Sequence, residues 1–185
     1  GAVHAIRGGD QVDPEWVPGS RPITFDGPHG PVHAFDHPPA HPEANEGGAL
    51  PPYVVQVHGG PTAHTAGAQA GWITYFTSRG IGVLEVNYGG STGYGRAYRE
   101  RLDGQWGVVD VDDVIAAARG LAEAGIADPA RIAIRGGSAG GWTVLSALVR
   151  GGVFAAGIDR YGVVDLRMLA EDTHDFERYY LDGLV

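Results

Sequence analysis

Apolar and polar residues alternate over residues 21–25 and again over 31–36, on either side of Asp26-Gly27-Pro28-His29-Gly30. Alternation with period two around a Gly/Pro turn predicts an antiparallel hairpin. Residues 53–57 (Tyr-Val-Val-Gln-Val) and 81–86 (Ile-Gly-Val-Leu-Glu-Val) are short, apolar and rich in β-branched side chains, and read as buried strands. Between them, Trp72, Tyr75 and Phe76 share a helical face over 66–78. Val111, Val114, Ile115, Ala118, Leu121 and Ala122 recur at helical spacing within 108–124, and Gly125 ends that run. A third apolar strand, Ile132-Ala133-Ile134, leads into a helical pattern carried by Trp142, Val144, Leu145, Ala147 and Leu148. Residues 153–158 predict a fourth strand, 161–164 its exit, and 165–181 a helix of mixed character.

Strands thus alternate with helices from Tyr53 onward. This pattern argues an α/β fold with a mostly parallel sheet and an N-terminal antiparallel hairpin. In such sheets ligands bind beyond the carboxyl ends of the strands. His58-Gly59-Gly60, Asn87-Tyr88-Gly89 and Gly137-Ser138-Ala139 each follow a predicted strand directly, so they should converge on one sheet edge. Residues 1–20 are polar and rich in Gly and Pro, and read as a linker or the tail of a preceding domain. Residues 21–185 read as a partial catalytic domain.

Composition narrows the function. A chain of 185 residues suffices for one domain with a sizeable core. The net charge of −9 argues against a nucleic-acid partner, which needs a basic face. Cysteine is absent, so the chain holds no disulfide, no thiol nucleophile and no Cys-based zinc site. A cytoplasmic location is expected, and no apolar run is long enough to cross a membrane.

The sharpest chemical signal is Gly136-Gly137-Ser138-Ala139-Gly140, a G-x-S-x-G match between a predicted strand and a predicted helix. In that motif a serine occupies a tight turn with its hydroxyl exposed, and the helix that follows aims its first amides at developing negative charge. The same glycine-rich composition also suits a flexible loop; the flanking strand and helix favour the catalytic turn. A dinucleotide loop would need glycine at 138 or 139, and a phosphate-binding P-loop would need a Gly-Lys-Ser/Thr ending. Neither is present.

Other candidates carry less. His33, His37 and His41 recur every four residues, but Pro38, Pro39 and Pro42 forbid the helix that would align them on a metal. Asp110, Asp112 and Asp113 read as a helix start, where the dipole favours anions. Arg135 is expected to be a structural ion-pair partner. His58 and Gly59 are expected to line the site, with His58 holding its loop through side-chain hydrogen bonds. Tyr88 is a further candidate for the lining. Tyr94, Tyr98 and Trp106 either share that pocket or pack a long loop on the sheet.

Several segments occur together in a telling order: Val57-His-Gly-Gly-Pro61, Asn87-Tyr-Gly-Gly-Ser-Thr-Gly-Tyr-Gly-Arg96, Trp106-Gly-Val-Val-Asp-Val-Asp-Asp113, Gly136-Gly-Ser-Ala-Gly-Gly141 and Tyr161-Gly-Val-Val-Asp-Leu166. With Asp172-Thr-His-Asp-Phe-Glu177 they resemble the catalytic domain of the prolyl oligopeptidase family of serine peptidases, in its acylaminoacyl-peptidase and dipeptidyl-peptidase-like branch. The resemblance implies an α/β-hydrolase fold and makes Ser138 the nucleophile. It implies oxyanion-hole amides on Ala139 and Gly60, a peptide substrate, and no cofactor or metal. It also implies an upstream β-propeller that restricts entry. The family pattern has arginine where Gly89 stands.

In this fold the triad runs Ser, then Asp or Glu, then His. One histidine follows Ser138 in the chain, His174, and the resemblance places it in a helical region and not as the base. The expectation is a domain truncated before its last strands, with the catalytic acid and base beyond Val185. Three functions follow: a serine peptidase, an esterase on the same fold, or a non-catalytic scaffold.

Overall fold

The computed structural model describes residues 13–40, 48–172 and 181–185. The hairpin forms where alternation predicts it, as β1 (Arg21–Gly27) and β2 (Gly30–His37), paired antiparallel with Phe25 opposite Val32. The parallel part follows as β3 (Tyr53–Val57), β4 (Gly82–Asn87), β5 (Ile132–Gly137) and β6 (Ala156–Arg160). The sheet order is β1-β2-β4-β3-β5-β6, with β2 antiparallel to β4 and the pairs β4/β3, β3/β5 and β5/β6 parallel. Helices α1 (Gly71–Thr77), α2 (Arg96–Arg99), α3 (Val109–Glu123), α4 (Ala139–Arg150) and α5 (Leu166–Asp172) complete the described elements, with short 3-10 turns.

Burial explains the layering. Val55, Val57, Leu84, Val86, Ile132 and Ile134 project from the central strands into one core, where they meet Val111, Val114, Ala118 and Leu121 of α3 and Val144 of α4. β4 is buried along its whole length, as expected of a strand covered on both faces. On the opposite face, Ile73 of α1 is fully buried. Polar side chains on the sheet find partners on both faces: His37 Nε2 meets Glu85 Oε2 at 2.9 Å on the α1 side, and on the α3 side the Tyr53 hydroxyl donates to Asp36 at 2.9 Å while Arg21 pairs with the same carboxylate.

Two elements depart from expectation. The helix expected over 66–78 begins only at Gly71. Ala70 is extended (φ −132°), and Gly67 turns at φ +65° where a Cβ would lie 2.4 Å from the Phe35 ring. The strand expected over 153–158 begins at Ala156 after a turn at Gly151 and Gly152, and it is exposed throughout because it is the last strand at this edge of the sheet. No helix among the described residues is long and apolar enough to cross a membrane.

Candidate active site

The carboxyl ends of β3, β4 and β5 point the same way, and the three expected segments meet there. The turn after β5 is the tightest. Ser138 adopts φ 54°, ψ −125°, the left-handed side of the map that a non-glycine residue takes only under constraint. Ser138 stands at the N-cap of α4, where serine ordinarily caps a helix amide, yet it makes no side-chain cap bond. The residue is exposed, and its hydroxyl is left for other chemistry.

Small residues make this turn possible. A Cβ on Gly136 would lie 2.4 Å from the Gly140 carbonyl oxygen, and one on Gly140 would lie 2.6 Å from the Val57 oxygen and 2.7 Å from the His58 oxygen. Glycine at these positions lets α4 close onto the strand that precedes it and onto the end of β3. The backbone is then tied down: Gly141 N–H donates to the Ser138 carbonyl at 3.0 Å, as does Val163 N–H at 3.2 Å, and Ser138 N–H donates to Arg160 at 3.2 Å.

The turn after β3 lies alongside. A Cβ on Gly59 would sit 3.5 Å from Ser138 Cβ and 3.3 Å from the Gly137 oxygen, so this backbone abuts the serine directly. Gly60 adopts φ +124° and is exposed. Among the described residues no acceptor takes the Gly60 or the Ala139 N–H. Two unengaged amides, one of them at a helix N-terminus, beside an exposed hydroxyl form an arrangement suited to stabilising an oxyanion.

His58 is half-buried and fully engaged. Its Nδ1 lies 2.7 Å from the Gly59 carbonyl oxygen and its Nε2 lies 2.8 Å from Ser91 Oγ. Burial pulls its pKa down to about 4, and the hydrogen bond to Gly59 opposes this only in part. The ring stacks on Tyr88 at 4.4 Å between centroids. Tyr88, expected in the site lining, is fully buried; its hydroxyl lies 3.1 Å from the carbonyl oxygens of both His58 and Pro61 and supports the turn from beneath. His64 meets Thr92 at 3.0 Å on the surface.

A cavity of about 180 Å³ opens beside Ser138, lined by Gln56, Gly59, Arg135, Arg160 and Tyr161 among others. A second, of about 440 Å³, is lined by residues that include His58, Trp72 and Glu85 and shares Gln56, Arg135 and Arg160 with the first. The expectation for Arg135 needs correction. It makes no ion pair among the described residues; its guanidinium bonds the Gln56 amide oxygen and lies 4.5 Å over the Trp72 ring. Burial and the nearby Arg160 lower its pKa. The reason is topological: Gln56 is its register partner on β3, so an amide and not a carboxylate reaches it.

The three aspartates of α3 are engaged separately. Asp110 accepts from Gly107 N–H at 2.6 Å and from the Thr143 hydroxyl of α4 at 2.5 Å, Asp112 binds Arg150 and His29, and Asp113 accepts from Gly89 N–H at 2.8 Å. Burial raises the Asp110 pKa and pushes that of Asp113 up to about 6. Gly89 has no room for an arginine: a Cβ there would lie 2.7 Å from Val109 Cγ1 and 3.2 Å from Arg101 Cβ. Tyr98 and Trp106 are buried, and Tyr98 donates to the Asn87 carbonyl at 2.6 Å, which is loop packing and not pocket lining. His174 and His41 lie outside the described residues.

The residue that sequence reasoning missed is Ser91. It is fully buried and bonded to His58, and its only signal was its place in the glycine-rich segment after β4.

A mostly parallel sheet with an antiparallel lead-in, whose fifth strand enters a G-x-S-x-G turn ahead of a helix, is the architecture of an α/β hydrolase. Residues 69–184 match the prolyl oligopeptidase family, and the chain belongs to it. It is 36% identical over 135 residues to the dipeptidyl aminopeptidase BIII of Pseudoxanthomonas mexicana, covering 72% of this chain and 20% of that protein. Among solved structures it superposes on a puromycin-hydrolyzing peptidase of Mycobacterium tuberculosis with a TM-score of 0.91 and 58% identity, covering 95% of this chain and 27% of that one. The acylaminoacyl peptidase of Pyrococcus horikoshii, at 24% identity and a TM-score of 0.78, shares the fold over 91% of this chain and 27% of its own. The chain thus spans about a fifth to just over a quarter of the length of these relatives.

Proposed function

We propose that this chain carries the nucleophile and the oxyanion hole of a serine peptidase that hydrolyses amide bonds in short peptides through an acyl-enzyme. The observation that carries the reading is Ser138: an exposed serine at φ 54° on the N-cap of α4, making no cap bond, with Gly59 packed against it. The Ser138 hydroxyl attacks the scissile carbonyl carbon as a histidine takes its proton. The amides of Gly60 and Ala139 hold the oxyanion. Collapse expels the amine, which takes that proton, and water then releases the acid.

The base is not His58, whose two ring nitrogens are both committed. His174, the one histidine that follows Ser138 in this chain, lies outside the described residues, and the family resemblance places it in a helical region and not as the base. In this fold the acid and the base follow the serine in chain order. We therefore assign them to sequence downstream of Val185, which the much greater length of the relatives supports.

The 58% identical structure is of a puromycin-hydrolyzing peptidase, which supports an amide bond between an aminoacyl group and an amine as the substrate. The test is steady-state hydrolysis of puromycin, aminoacyl anilides and short acyl esters by a protein that continues past Val185. Amide turnover that disappears in Ser138→Ala is expected. Turnover of esters alone would make it an esterase, and turnover that survives Ser138→Ala would overturn the assignment.

A further inference from the structure

The oxyanion donor assigned to Gly60 shares a peptide unit with a carbonyl that a side chain holds. The Gly59–Gly60 bond is not among the cis peptides, so its carbonyl oxygen and its N–H point in opposite directions across one plane. Anchoring the Gly59 oxygen therefore fixes where the Gly60 N–H points. The anchor is His58 Nδ1, at 2.7 Å.

That bond requires one tautomer. A carbonyl oxygen only accepts, so Nδ1 must carry the proton. In a neutral ring Nε2 is then an acceptor, and it needs a donor. The Ser91 hydroxyl, fully buried and 2.8 Å away, is that donor. Burial of the ring keeps it neutral. Stacking on Tyr88 at 4.4 Å, with 16° between the planes, fixes the ring plane. The Tyr88 hydroxyl, 3.1 Å from the carbonyl oxygens of His58 and Pro61, holds the His58–Gly59 and Pro61–Thr62 peptide units. The carbonyl of the Gly59–Gly60 unit is held by the imidazole.

We propose that Ser91 and His58 are positioning residues for catalysis: the buried Ser91 hydroxyl selects the Nδ1–H tautomer of His58, which pins the Gly59 carbonyl and so aims the Gly60 N–H at the oxyanion. This rests on the assignment of Gly60 and Ser138 above.

Two measurements test it. The first reads the tautomer in this chain by ¹H–¹⁵N NMR of the imidazoles. A pyrrole-type Nδ1 and a pyridine-type Nε2 at His58 are expected, unchanged between pH 5 and 8. In Ser91→Ala the Nε2–H form should appear, and the Gly60 amide signal should shift or broaden while signals of β1 and α3 stay in place. An Nε2–H tautomer in the unaltered chain would overturn the proposal.

The second reads amide hydrolysis in a protein that extends through the downstream acid and base. Loss of one oxyanion donor costs about 10²–10³ in kcat, so a misaimed donor should cost roughly 10–100-fold. Ser91→Ala should lower kcat by that factor with KM within about twofold, and Ser91→Thr, which keeps the hydroxyl, should restore it. A loss in KM alone, or no loss, would overturn the proposal. Fluorophosphonate labelling of Ser138 in the same unaltered protein reads the underlying assignment separately. If Ser138 labels and the Ser91 variant is unimpaired, only the positioning role falls; if Ser138 does not label, the site assignment falls.

Discussion

Gly140→Ala is the perturbation that asks most of the site. The added methyl would sit 2.6 Å from the Val57 oxygen and 2.7 Å from the His58 oxygen. Ordinary contact begins near 3.4 Å, so α4 and the end of β3 must separate by about 0.8 Å. Both obstructing atoms are backbone, so no rotamer change relieves the contact. Overpacking of this kind costs about 1–3 kcal/mol, and rigid neighbours place it at the upper end. Replacing a helical glycine by alanine returns up to about 1 kcal/mol of propensity. The net loss is about 2 kcal/mol, or roughly 4–8 °C in Tm for a domain of this size.

The geometric consequence exceeds the energetic one. The separation falls between Ala139 and Gly60, so the two assigned oxyanion amides no longer aim at one point. A displacement on the order of 1 Å can cost about 10² in rate. The assay pairs thermal unfolding by circular dichroism with turnover of an aminoacyl anilide in the extended protein. Gly71→Ala is the control, because nothing lies within 4 Å of the added methyl. It should leave Tm unchanged or slightly raised. A Gly140→Ala variant as stable and as active as the parent would refute the claim that glycine is there for close approach.

Three further outcomes are expected. Asp110→Ala removes the acceptor of both Gly107 N–H and the Thr143 hydroxyl and should cost about 2–4 kcal/mol in urea unfolding. A double-mutant cycle with Thr143→Val should show coupling of at least about 0.5 kcal/mol, and strict additivity would deny the α3–α4 link. Asp113 has a folded-state pKa of about 6 against an ordinary 3.8, so its contribution to stability is fully present below pH 4 and is lost as pH rises through 6. Asp113→Asn has no proton to lose, so its stability relative to the parent should rise by about 2–3 kcal/mol between pH 4 and pH 7; a constant difference across that window would contradict the shift.

Much of this was legible in the sequence because the signals were local. The hairpin, β3, β4, β5 and α3 follow from period-two and helical spacing read within single segments. The convergence of His58-Gly59, Tyr88 and Ser138 followed from parallel strand direction alone, and the structure bears it out through Gly59 abutting Ser138 and His58 meeting Ser91. What stayed hidden depended on register. Arg135 faces Gln56 and Trp72, and not a carboxylate, because of which β3 residue lies opposite. Tyr88 lies under the turn that follows β3 because the strand end turns it inward. Ser91 was invisible because its partner, His58, is distant in sequence and adjacent only across the sheet edge.

A Ser138 nucleophile whose base lies downstream should react only when that base is present. Fluorophosphonate labelling with the adduct located by peptide mass tests this most directly, run on the 185-residue chain and on a protein continuing through the next strands. Rapid labelling at Ser138 is expected in the longer protein and little in the shorter one. Equal labelling of both would contradict a downstream base, and an adduct elsewhere or none at all would contradict the nucleophile.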